Sequence, residues 1–339
     1  MNKNMNRRDF LKALGVTGGA ALLASCAQSP QATAAPQATA ASQANPNEKY
    51  VMVSNVSAHP YWLDAQYGGE DAAKMLGVTW QYTGPAEFDT PAQVTALEQI
   101  ISTKPSGLLV AALQPDAISA AIDKAIAAGI PVVTVDTDAP DSKRMTYLGT
   151  ANYSAGVTMG KTMMEALGGK GKVGLASVPG QFNLEERIRG IKDAFAATNG
   201  AMELVTVVDD KNDDAATTDA VVAMLQANPG INLVGSINAV GAGVAAALRQ
   251  TNNVGKIKAV TFDITEPIIA ALEDGSVNAT MVQRTYMMTF VGVQMLYDYN
   301  HRSAYLENWS KNGIGVLPYA VDTGVMSITK EKAAAFKKK

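Results

Sequence analysis

The feature that most constrains the fold of this sequence is a regular alternation of two kinds of segment, which starts at Tyr50 and continues almost to the C-terminus. Short apolar runs rich in β-branched residues have the length of strands that are buried on both faces. The longer segments between them carry apolar residues at helical spacing. Strands and helices that alternate in this way form parallel sheets with helices on both faces. We therefore predict an α/β fold.

The predicted strands fall into two groups, followed by a final strand over Val321–Ile328. The first group comprises Tyr50–Val56, Val78–Tyr82, Gly107–Ala112, Ile130–Val135 and Thr146–Gly149. The second group comprises Lys172–Val178, Glu203–Val208, Asn232–Ile237, Lys258–Phe262 and Thr280–Gln283. Twisted open sheets rarely exceed about ten strands, so two smaller sheets suit the chain better than one large sheet. The sequence therefore predicts two doubly wound parallel-sheet lobes.

The N-terminal segment has the pattern of an export signal followed by a tether. The pair Arg7-Arg8, then Phe10–Lys12 and a weakly apolar stretch, is typical of a twin-arginine signal. The stretch ends in Leu23–Cys26, which resembles a bacterial lipobox whose cysteine receives a lipid. We predict a signal peptide over residues 1–25, then lipidated Cys26 and a disordered tether to residue 48, which would hold the protein at a membrane outside the cytoplasm. The alternative is an ordinary buried cysteine in an apolar helix.

Composition excludes several classes of partner and cofactor. A net charge of −3 and an aromatic content of 6% argue against nucleic acid as a partner. One cysteine rules out a disulfide framework, and His59 and His301 are too few for a histidine metal cluster. The glycine-rich segment 168–172 precedes a strand, so it is not a phosphate loop. The acidic run over 209–214 lacks the glycine turn of a calcium loop and is predicted to be a solvated loop. We expect no cofactor and no metal.

Almost every predicted strand ends next to a side chain able to make paired hydrogen bonds. In parallel α/β sheets, ligands bind beyond the carboxyl ends of the strands. Carboxylate, amide and guanidinium groups mix acceptors with donors and therefore suit the vicinal hydroxyls of a sugar, whereas rings can cover its apolar face. This pattern predicts a carbohydrate site. The candidate residues are His59, Tyr61, Trp62, Asp136, Arg187, Asn212, Asn238, Asp263 and Gln283.

Five segments then point to one family: Asn55–Trp62, Gly129–Asp136, Arg187–Gly190, Val260–Asp263 and Val321–Val325. In this order, from Tyr50 to about Lys330, the chain resembles the ribose-binding-protein group of type I periplasmic binding proteins, which deliver sugars to ABC importers. The resemblance implies two lobes joined by a three-crossing hinge, with the sugar closed between them. It implies an N-terminal lobe of residues 49–151 plus 285–316, a C-terminal lobe of 152–284 plus 317–330, and a tail of 331–339.

The resemblance also assigns roles to individual residues. Tyr61 and Trp62 match the family's aromatic pair, Asp136 matches the first-lobe aspartate and Arg187 the second-lobe arginine that reaches the ring oxygens. Asn238, Asp263 and Gln283 match the remaining polar residues of the second lobe and hinge. The sequence departs from the ribose binders at His59, Ala112, Thr137 and Asn212. These departures leave the sugar open, and the spacing of Asp136 and Asp138 resembles that of autoinducer-2 binders over a short stretch.

Some of the candidates have a structural alternative. Tyr61 and Trp62 could form the first turn of a helix that faces the core, although adjacent helical residues point about 100° apart. Asp136 and Asp263 could be caps of the segments that follow them. Both follow a buried β-branched run at the same edge of a sheet, which favours a ligand site.

For other candidates the sequence leaves both interpretations open. Arg187 could pair with a neighbouring glutamate on the surface. Asn238 could cap the next helix and still face a ligand. His59, beside Pro60, could be only a turn residue. For Gln283 and Asn212 the sequence favours neither a ligand contact nor a purely structural role.

We therefore predict a lipid-anchored, monomeric binding protein, not an enzyme. Its expected ligand is a neutral monosaccharide, pentose or hexose, or a polyol, and its expected partner is an ABC transporter permease. The alternative is a sensor that presents a sugar or autoinducer-2 to a receptor kinase or chemoreceptor. A glycosidase with Asp136 and Asp263 as its acid pair is disfavoured, because Arg187 and Asn238 would keep such carboxyl groups ionised instead of raising one pKa for an acid. A sugar-responsive repressor would need a helix-turn-helix in place of the export signal.

Overall fold

The computed structural model describes residues 45–336. The predicted signal peptide over 1–25, Cys26, the tether up to residue 44 and the last part of the predicted tail, 337–339, lie outside the described residues. The described chain contains two six-stranded sheets, as expected for two lobes. Within it, no helix has the length and apolar character needed to cross a bilayer.

The first sheet contains β1 (Lys49–Val53), β2 (Thr79–Thr83), β3 (Gly107–Val110), β4 (Val132–Val135), β5 (Thr146–Gly149) and β11 (Ala320–Asp322). The order is β11-β5-β4-β3-β1-β2, and every neighbouring pair is parallel. Both β3 and β4 are buried along their whole length, as expected for strands covered on both faces.

The second sheet contains β6 (Gly171–Ser177), β7 (Met202–Asp209), β8 (Leu233–Ser236), β9 (Lys258–Phe262), β10 (Ala279–Gln283) and β12 (Val325–Thr329). The order is β12-β10-β9-β8-β6-β7, which repeats the order of the first sheet. The pairs are parallel except for β12, which runs antiparallel to β10. Because β9 occupies the same place as β4, their carboxyl ends occupy matching positions in the two lobes.

Helices cover both faces of each sheet. They are α1 (Leu63–Leu76), α2 (Thr90–Ser102), α3 (Pro115–Ala127), α4 (Asn152–Ala166), α5 (Phe182–Ala196), α6 (Asp214–Ala227), α7 (Gly241–Gln250), α8 (Glu266–Glu273), α9 (Thr285–Asn300), α10 (Ala304–Lys311) and α11 (Lys330–Ala333). In the first lobe, α1 and α9 pack on one face of the sheet and α2 and α3 on the other. In the second lobe, α4 and α5 face α6, α7 and α8 across the sheet. Each lobe is therefore a three-layer α/β/α unit with two apolar cores.

The chain passes between the sheets three times. The crossings lie between β5 and α4, between β10 and α9, and between β11 and β12. Two predictions are wrong at the third crossing. The predicted single strand Val321–Ile328 is two strands, β11 and β12. Residues 317–330 do not all belong to the second lobe, because β11 pairs with β5 in the first sheet. Gly324 adopts a φ of 73° between the two short strands, a left-handed conformation that breaks the extended run.

The first and third crossings lie side by side. Asp322 Oδ1 accepts hydrogen bonds from the backbone N–H of Ala151 at 2.9 Å and of Gly324 at 2.8 Å. The backbone N–H and the hydroxyl of Thr323 both donate to the Gly149 carbonyl, at 2.8 and 3.0 Å. These contacts join the connecting segments into one hinge.

The described chain begins with a turn that is attached to the first lobe. Glu48 Oε1 accepts from Asn45 Nδ2 at 2.7 Å and lies 3.1 Å from His301 Nε2. Glu48 Oε2 accepts from the Tyr50 hydroxyl at 3.0 Å. The prediction of a disordered tether as far as residue 48 is therefore wrong for residues 45–48, since partners distant in sequence order this segment.

Candidate functional site

Arg187 is the most fully bonded of the candidate residues. It lies on α5, is 3% exposed, and packs its guanidinium carbon 3.9 Å from the ring centre of Phe262. Nε donates to Asn152 Oδ1 at 2.8 Å, and Nη1 donates to the Ile237 carbonyl at 2.7 Å. Nη2 donates to Gln283 Oε1 at 3.1 Å. The guanidinium group is therefore held in one orientation, and the alternative of a surface ion pair is wrong because Glu186 pairs with Arg189 instead.

Close helix packing gives Arg187 its position. A Cβ atom placed on Gly156 of α4 would lie 2.1 Å from the Arg187 carbonyl oxygen, far inside van der Waals contact. One placed on Gly190 would lie 2.2 Å from the Tyr153 carbonyl oxygen. Glycines at both positions allow α4 and α5 to approach closely, which brings Asn152 within reach of Arg187.

Gln283 links Arg187 to the second-lobe aspartate. It is the last residue of β10 and is 8% exposed. Its Oε1 accepts from the Thr150 hydroxyl at 2.9 Å as well as from Arg187, and its Nε2 donates to Asp263 Oδ1 at 2.9 Å. Thr150 belongs to the first crossing. The amide of Gln283 therefore joins the hinge, the arginine and the aspartate in one network.

Asp136 is the matching carboxylate of the first lobe. It follows β4, and its Oδ1 accepts a short hydrogen bond from the Tyr61 hydroxyl. The pKa of Asp136 is raised from 3.8 to about 6, chiefly by burial; the hydrogen bond from the Tyr61 hydroxyl and the charge of Arg187 oppose this shift, and the nearby carboxylate of Asp263 adds to it. The pKa of Asp263 is also raised by burial, with Arg187 and Gln283 opposing. The two lobes therefore bring two carboxyl groups and one guanidinium group into a shared electrostatic environment.

The two aspartates also share an unusual backbone conformation. Both have a φ of 63°, in the left-handed region that non-glycine residues seldom adopt. The backbone N–H of Asp136 donates to the Leu148 carbonyl at 3.0 Å, and that of Asp263 donates to the Met281 carbonyl at 2.6 Å. Each aspartate is thus held at the end of its strand by the neighbouring strand. Neither side chain caps a following helix, so the capping alternative is wrong for both.

The two adjacent rings of the predicted aromatic pair have different environments. They pack edge to face, with ring centres 5.0 Å apart. Trp62 is 2% exposed, belongs to the first-lobe core and donates from Nε1 to Asn55 Oδ1 at 3.2 Å. Tyr61 instead turns its hydroxyl to Asp136. Of this pair, only Tyr61 has a polar atom bonded to the carboxylates.

His59 lies where the first lobe approaches the second. It precedes a 3₁₀ turn over Pro60–Trp62, and its Nδ1 accepts from the Tyr61 N–H at 3.2 Å. Burial lowers the pKa of His59, and the carboxylate of Asp214 on α6 opposes the shift. The structure thus bears out its role in a turn and also places it within electrostatic reach of the other lobe.

Asn238 and Asn212 meet at a third aspartate. Asn238 is 7% exposed, and its Nδ2 donates to Asn212 Oδ1 and to Asp210 Oδ1, both at 3.1 Å. Asp210 has no exposed surface, so the prediction that the acidic run is a solvated loop is wrong at this residue. The run also contains the cap of α6, since Asp213 Oδ1 accepts from the Ala216 N–H at 2.8 Å.

Sequence reasoning missed Asp210 and Asn152 as partners of candidate residues. The signal available for Asp210 was its position two residues after the predicted strand Glu203–Val208, which the neighbouring charges obscured. Asp138 has a structural role, because Arg144 binds both of its oxygens at 2.6 Å. The described residues contain no group of three or more His, Cys, Asp or Glu side chains arranged to hold a metal ion.

Comparisons with known proteins agree with this architecture. The model of the periplasmic binding protein domain matches residues 50–302, and that of the twin-arginine translocation signal matches residues 4–24. The chain is 26% identical over 304 residues to the xylose/arabinose-binding protein XylF of Sulfolobus acidocaldarius, which covers 84% of this chain and 72% of that protein.

Two solved structures illustrate the similarity of fold. The arabinose-binding protein AraP of Geobacillus stearothermophilus is 36% identical with a TM-score of 0.80, and the match covers 86% of this chain and 99% of AraP. XylFII in its complex with LytSN is 28% identical with a TM-score of 0.69, covering 84% and 98% of the two chains. The family, XylF and AraP are binding proteins rather than enzymes, and the signal sequence directs the chain out of the cytoplasm. With two α/β lobes of type I architecture, this chain belongs to the periplasmic binding protein family.

Proposed function

We propose that this protein captures a neutral monosaccharide or polyol between its lobes and delivers it to an ABC importer. The observation that carries the proposal is the electrostatic interaction of two carboxylates, half-buried Asp136 and buried Asp263, with each other and with Arg187. Such a set offers both acceptors and donors to vicinal hydroxyls, so it can bind an uncharged ligand. The name of the relative XylF supports a sugar ligand.

The ligand-binding residues belong to this proposal. We assign hydroxyl contacts to a set that hydrogen bonds and electrostatic interactions connect, namely Tyr61, Asp136, Arg187, Asp263 and Gln283. Asn238 and Asn212 extend the set in the second lobe, and His59 and Trp62 flank Tyr61 in the first. Within this group, a pentose is the first candidate, since XylF and AraP are described as binding xylose or arabinose.

Closure of the lobes about the hinge provides the mechanism. We assign the N-terminal lobe to residues 49–151 plus 285–322 and the C-terminal lobe to 152–284 plus 325–330, joined at three crossings. Closure removes the sugar from water and pairs its hydroxyls with groups already held in place, so little ordering of side chains remains to oppose binding. The closed form would then present both lobes to the permease.

The anchor is a separate part of the proposal. Cys26 lies two residues after the matched signal, which ends at residue 24, and is the sole cysteine of the sequence. Lipidation at Cys26 would leave residues 27–44 as the link to a monomeric binding unit, with a reach of roughly 60 Å if extended. Replacement Cys26→Ser is expected to move the protein from the membrane fraction to the soluble extracytoplasmic fraction. Retention of the variant in the membrane fraction would contradict the anchor.

A sensor is the second candidate function. The similarity to XylFII solved as a complex with LytSN supports docking to a protein other than a permease. Deletion of the gene for this binding protein, with the permease left intact, separates the two candidates. Loss of growth on the bound sugar supports transport, whereas loss of a transcriptional or chemotactic response with intact uptake supports sensing.

The test of the binding proposal is calorimetric titration of the protein after unfolding and refolding, which removes any carried ligand. The panel comprises D-xylose, L-arabinose, D-ribose, D-glucose, myo-inositol and autoinducer-2. Micromolar binding of one sugar, worth roughly 8 kcal/mol, is the expected result. Binding of autoinducer-2 alone would favour the sensor, and a folded sample that binds nothing in the panel would overturn the sugar proposal.

A further inference from the structure

Asp210 is a buried carboxylate that none of the assigned ligand contacts includes. It follows β7 and has no exposed surface. Its backbone is fixed on both sides, because its N–H donates to the Ser177 carbonyl and its carbonyl accepts from the Asp213 N–H, both at 3.1 Å. Its Oδ1 accepts from the Asn212 N–H at 2.8 Å and from Asn238 Nδ2 at 3.1 Å. The side chain therefore has one orientation.

The second oxygen of Asp210 has no hydrogen-bond partner. Oδ2 is buried and unpaired, and so is Oδ1 of Asn238, to which Asp210 is bonded. A buried carboxylate oxygen without a donor costs several times what an ordinary hydrogen bond contributes. No lysine or arginine among residues 45–336 forms an ion pair with Asp210. Burial raises the pKa of Asp210, as expected for a carboxylate whose acceptor capacity is only partly met.

The orientation of the Asn238 amide follows from its neighbours. Its nitrogen faces two oxygens, Asp210 Oδ1 and Asn212 Oδ1, and a reversed amide would set oxygen against oxygen at both contacts. Asn238 Oδ1 is therefore an acceptor, as is Asp210 Oδ2. Two side chains that are bonded to each other therefore each carry a buried acceptor without a donor.

We infer that Asp210 is a further ligand-contacting residue, whose Oδ2 and the neighbouring Oδ1 of Asn238 accept hydrogen bonds from hydroxyl groups of the bound sugar. The inference rests on the proposed function and deepens it, because it assigns a second-lobe acceptor subsite to one region of the sugar. Hydroxyl groups suit this subsite, since each supplies one donor and carries no charge. A sugar that lacks a hydroxyl at this position would leave both acceptors buried and unpaired.

The test compares Asp210→Asn with wild type and with the matched control Asp209→Asn, an adjacent exposed carboxylate. The asparagine keeps an oxygen for Asn212 and Asn238 but places an N–H₂ group where Oδ2 was. Calorimetric titration with D-xylose, L-arabinose and D-ribose, and with monodeoxy analogues of the best binder, measures the affinity of each protein. We expect Asp210→Asn to lose about tenfold in affinity, or about 1.4 kcal/mol, while Asp209→Asn stays within about twofold.

The deoxy analogues distinguish contact from positioning. Direct contact predicts that one monodeoxy analogue binds the wild type weakly and is no further weakened by Asp210→Asn. Equal weakening of every analogue would overturn the inference and assign Asp210 only the positioning of Asn238. Unchanged affinity for the parent sugar would overturn it as well.

Two further outcomes have separate meanings. If Asp210→Asn does not fold, as judged by circular dichroism, Asp210→Glu replaces it. This variant keeps the carboxylate but moves it by one methylene group. Direct contact then again predicts that one monodeoxy analogue binds the variant no more weakly than it binds the wild type. If folded wild-type protein binds no sugar of the panel, the proposed function fails and this inference fails with it. Sugar binding by the wild type with an unaffected variant overturns the inference alone.

Discussion

At the strand ends of the second lobe, Arg187 donates to three acceptors and Gln283 connects it to Asp263. At the matching edge of the first lobe, Asp136 has one side-chain partner, the hydroxyl of Tyr61. Both aspartates occupy the same place in sheets of the same order and share a φ of 63°. The second lobe therefore holds its polar groups in a fixed network, whereas the first lobe has a carboxylate with free capacity to accept hydrogen bonds from a ligand.

The largest expected effect comes from breaking the second-lobe network at its aspartate. In Asp263→Ala, the ligand loses a charged acceptor and Gln283 Nε2 loses its partner. We expect affinity for the best sugar to fall about 100-fold or more, because hydrogen bonds to charged groups contribute about 1.5–3 kcal/mol each. Calorimetric titration measures this. Asp274→Ala, at a surface carboxylate paired with Arg249, is the control, and equal losses in both variants would contradict the assignment.

Arg187→Lys tests whether the network depends on the fork of the guanidinium group. One ammonium group cannot reproduce donation to Asn152, Ile237 and Gln283. We expect the free energy of unfolding to fall by about 2–4 kcal/mol and sugar affinity to fall about tenfold. Denaturant titration and calorimetry measure the two effects. Arg189→Lys on the same helix, at an exposed pair with Glu186, is the control and should leave the free energy of unfolding nearly unchanged.

Asp136→Asn sharpens the comparison through its pH dependence. Because the pKa of Asp136 rises from 3.8 to about 6 on folding, the folded protein binds more protons than the unfolded chain between these values. Stability of the ligand-free protein should therefore fall as pH increases from about 4 to about 6, by about 2–3 kcal/mol from this group. In Asp136→Asn, stability should lose this part of its dependence on pH, and the affinity for the best sugar should fall about tenfold.

The control for this prediction lies two residues further along the chain. Asp138→Asn breaks the bidentate contact with buried Arg144 and should destabilise the protein while keeping both the pH slope and the sugar affinity. Unfolding titrations at a series of pH values compare the two variants. Identical slopes in wild type and Asp136→Asn would refute the role given to burial of Asp136.

Tyr61→Phe is expected to have the smallest effect. It removes the hydroxyl that donates to Asp136 but keeps the ring that packs on Trp62. We expect sugar affinity to fall only about threefold, because the variant loses one hydrogen bond and the carboxylate of Asp136 can bond to the ligand instead. The pKa of Asp136 should increase, because the Tyr61 hydroxyl opposes its rise. A loss as large as that of Asp263→Ala would show that the first lobe depends on its pair as strongly as the second depends on its network.

Much of this architecture follows from local patterns. Buried β-branched runs separated by amphipathic segments predict two parallel-sheet lobes, and the residues after β4 and β9 identify Asp136 and Asp263. The position of β11 did not follow, since an alternating run such as Val321–Ile328 reports which residues are extended but not which sheet they join. The left-handed turn at Gly324 divides that run.

The sequence by itself determined the export signal, the fold class and the residue types at the strand ends. These features follow from the order of apolar and polar residues along short segments of the chain. Only the tertiary structure decided that Trp62 packs in the core while Tyr61 reaches Asp136, and that Asp210 is buried within an acidic run. Adjacent residues such as Asp209 and Asp210 have the same local chemistry. Their burial depends on partners such as Asn238, 28 residues away, which a local pattern does not contain.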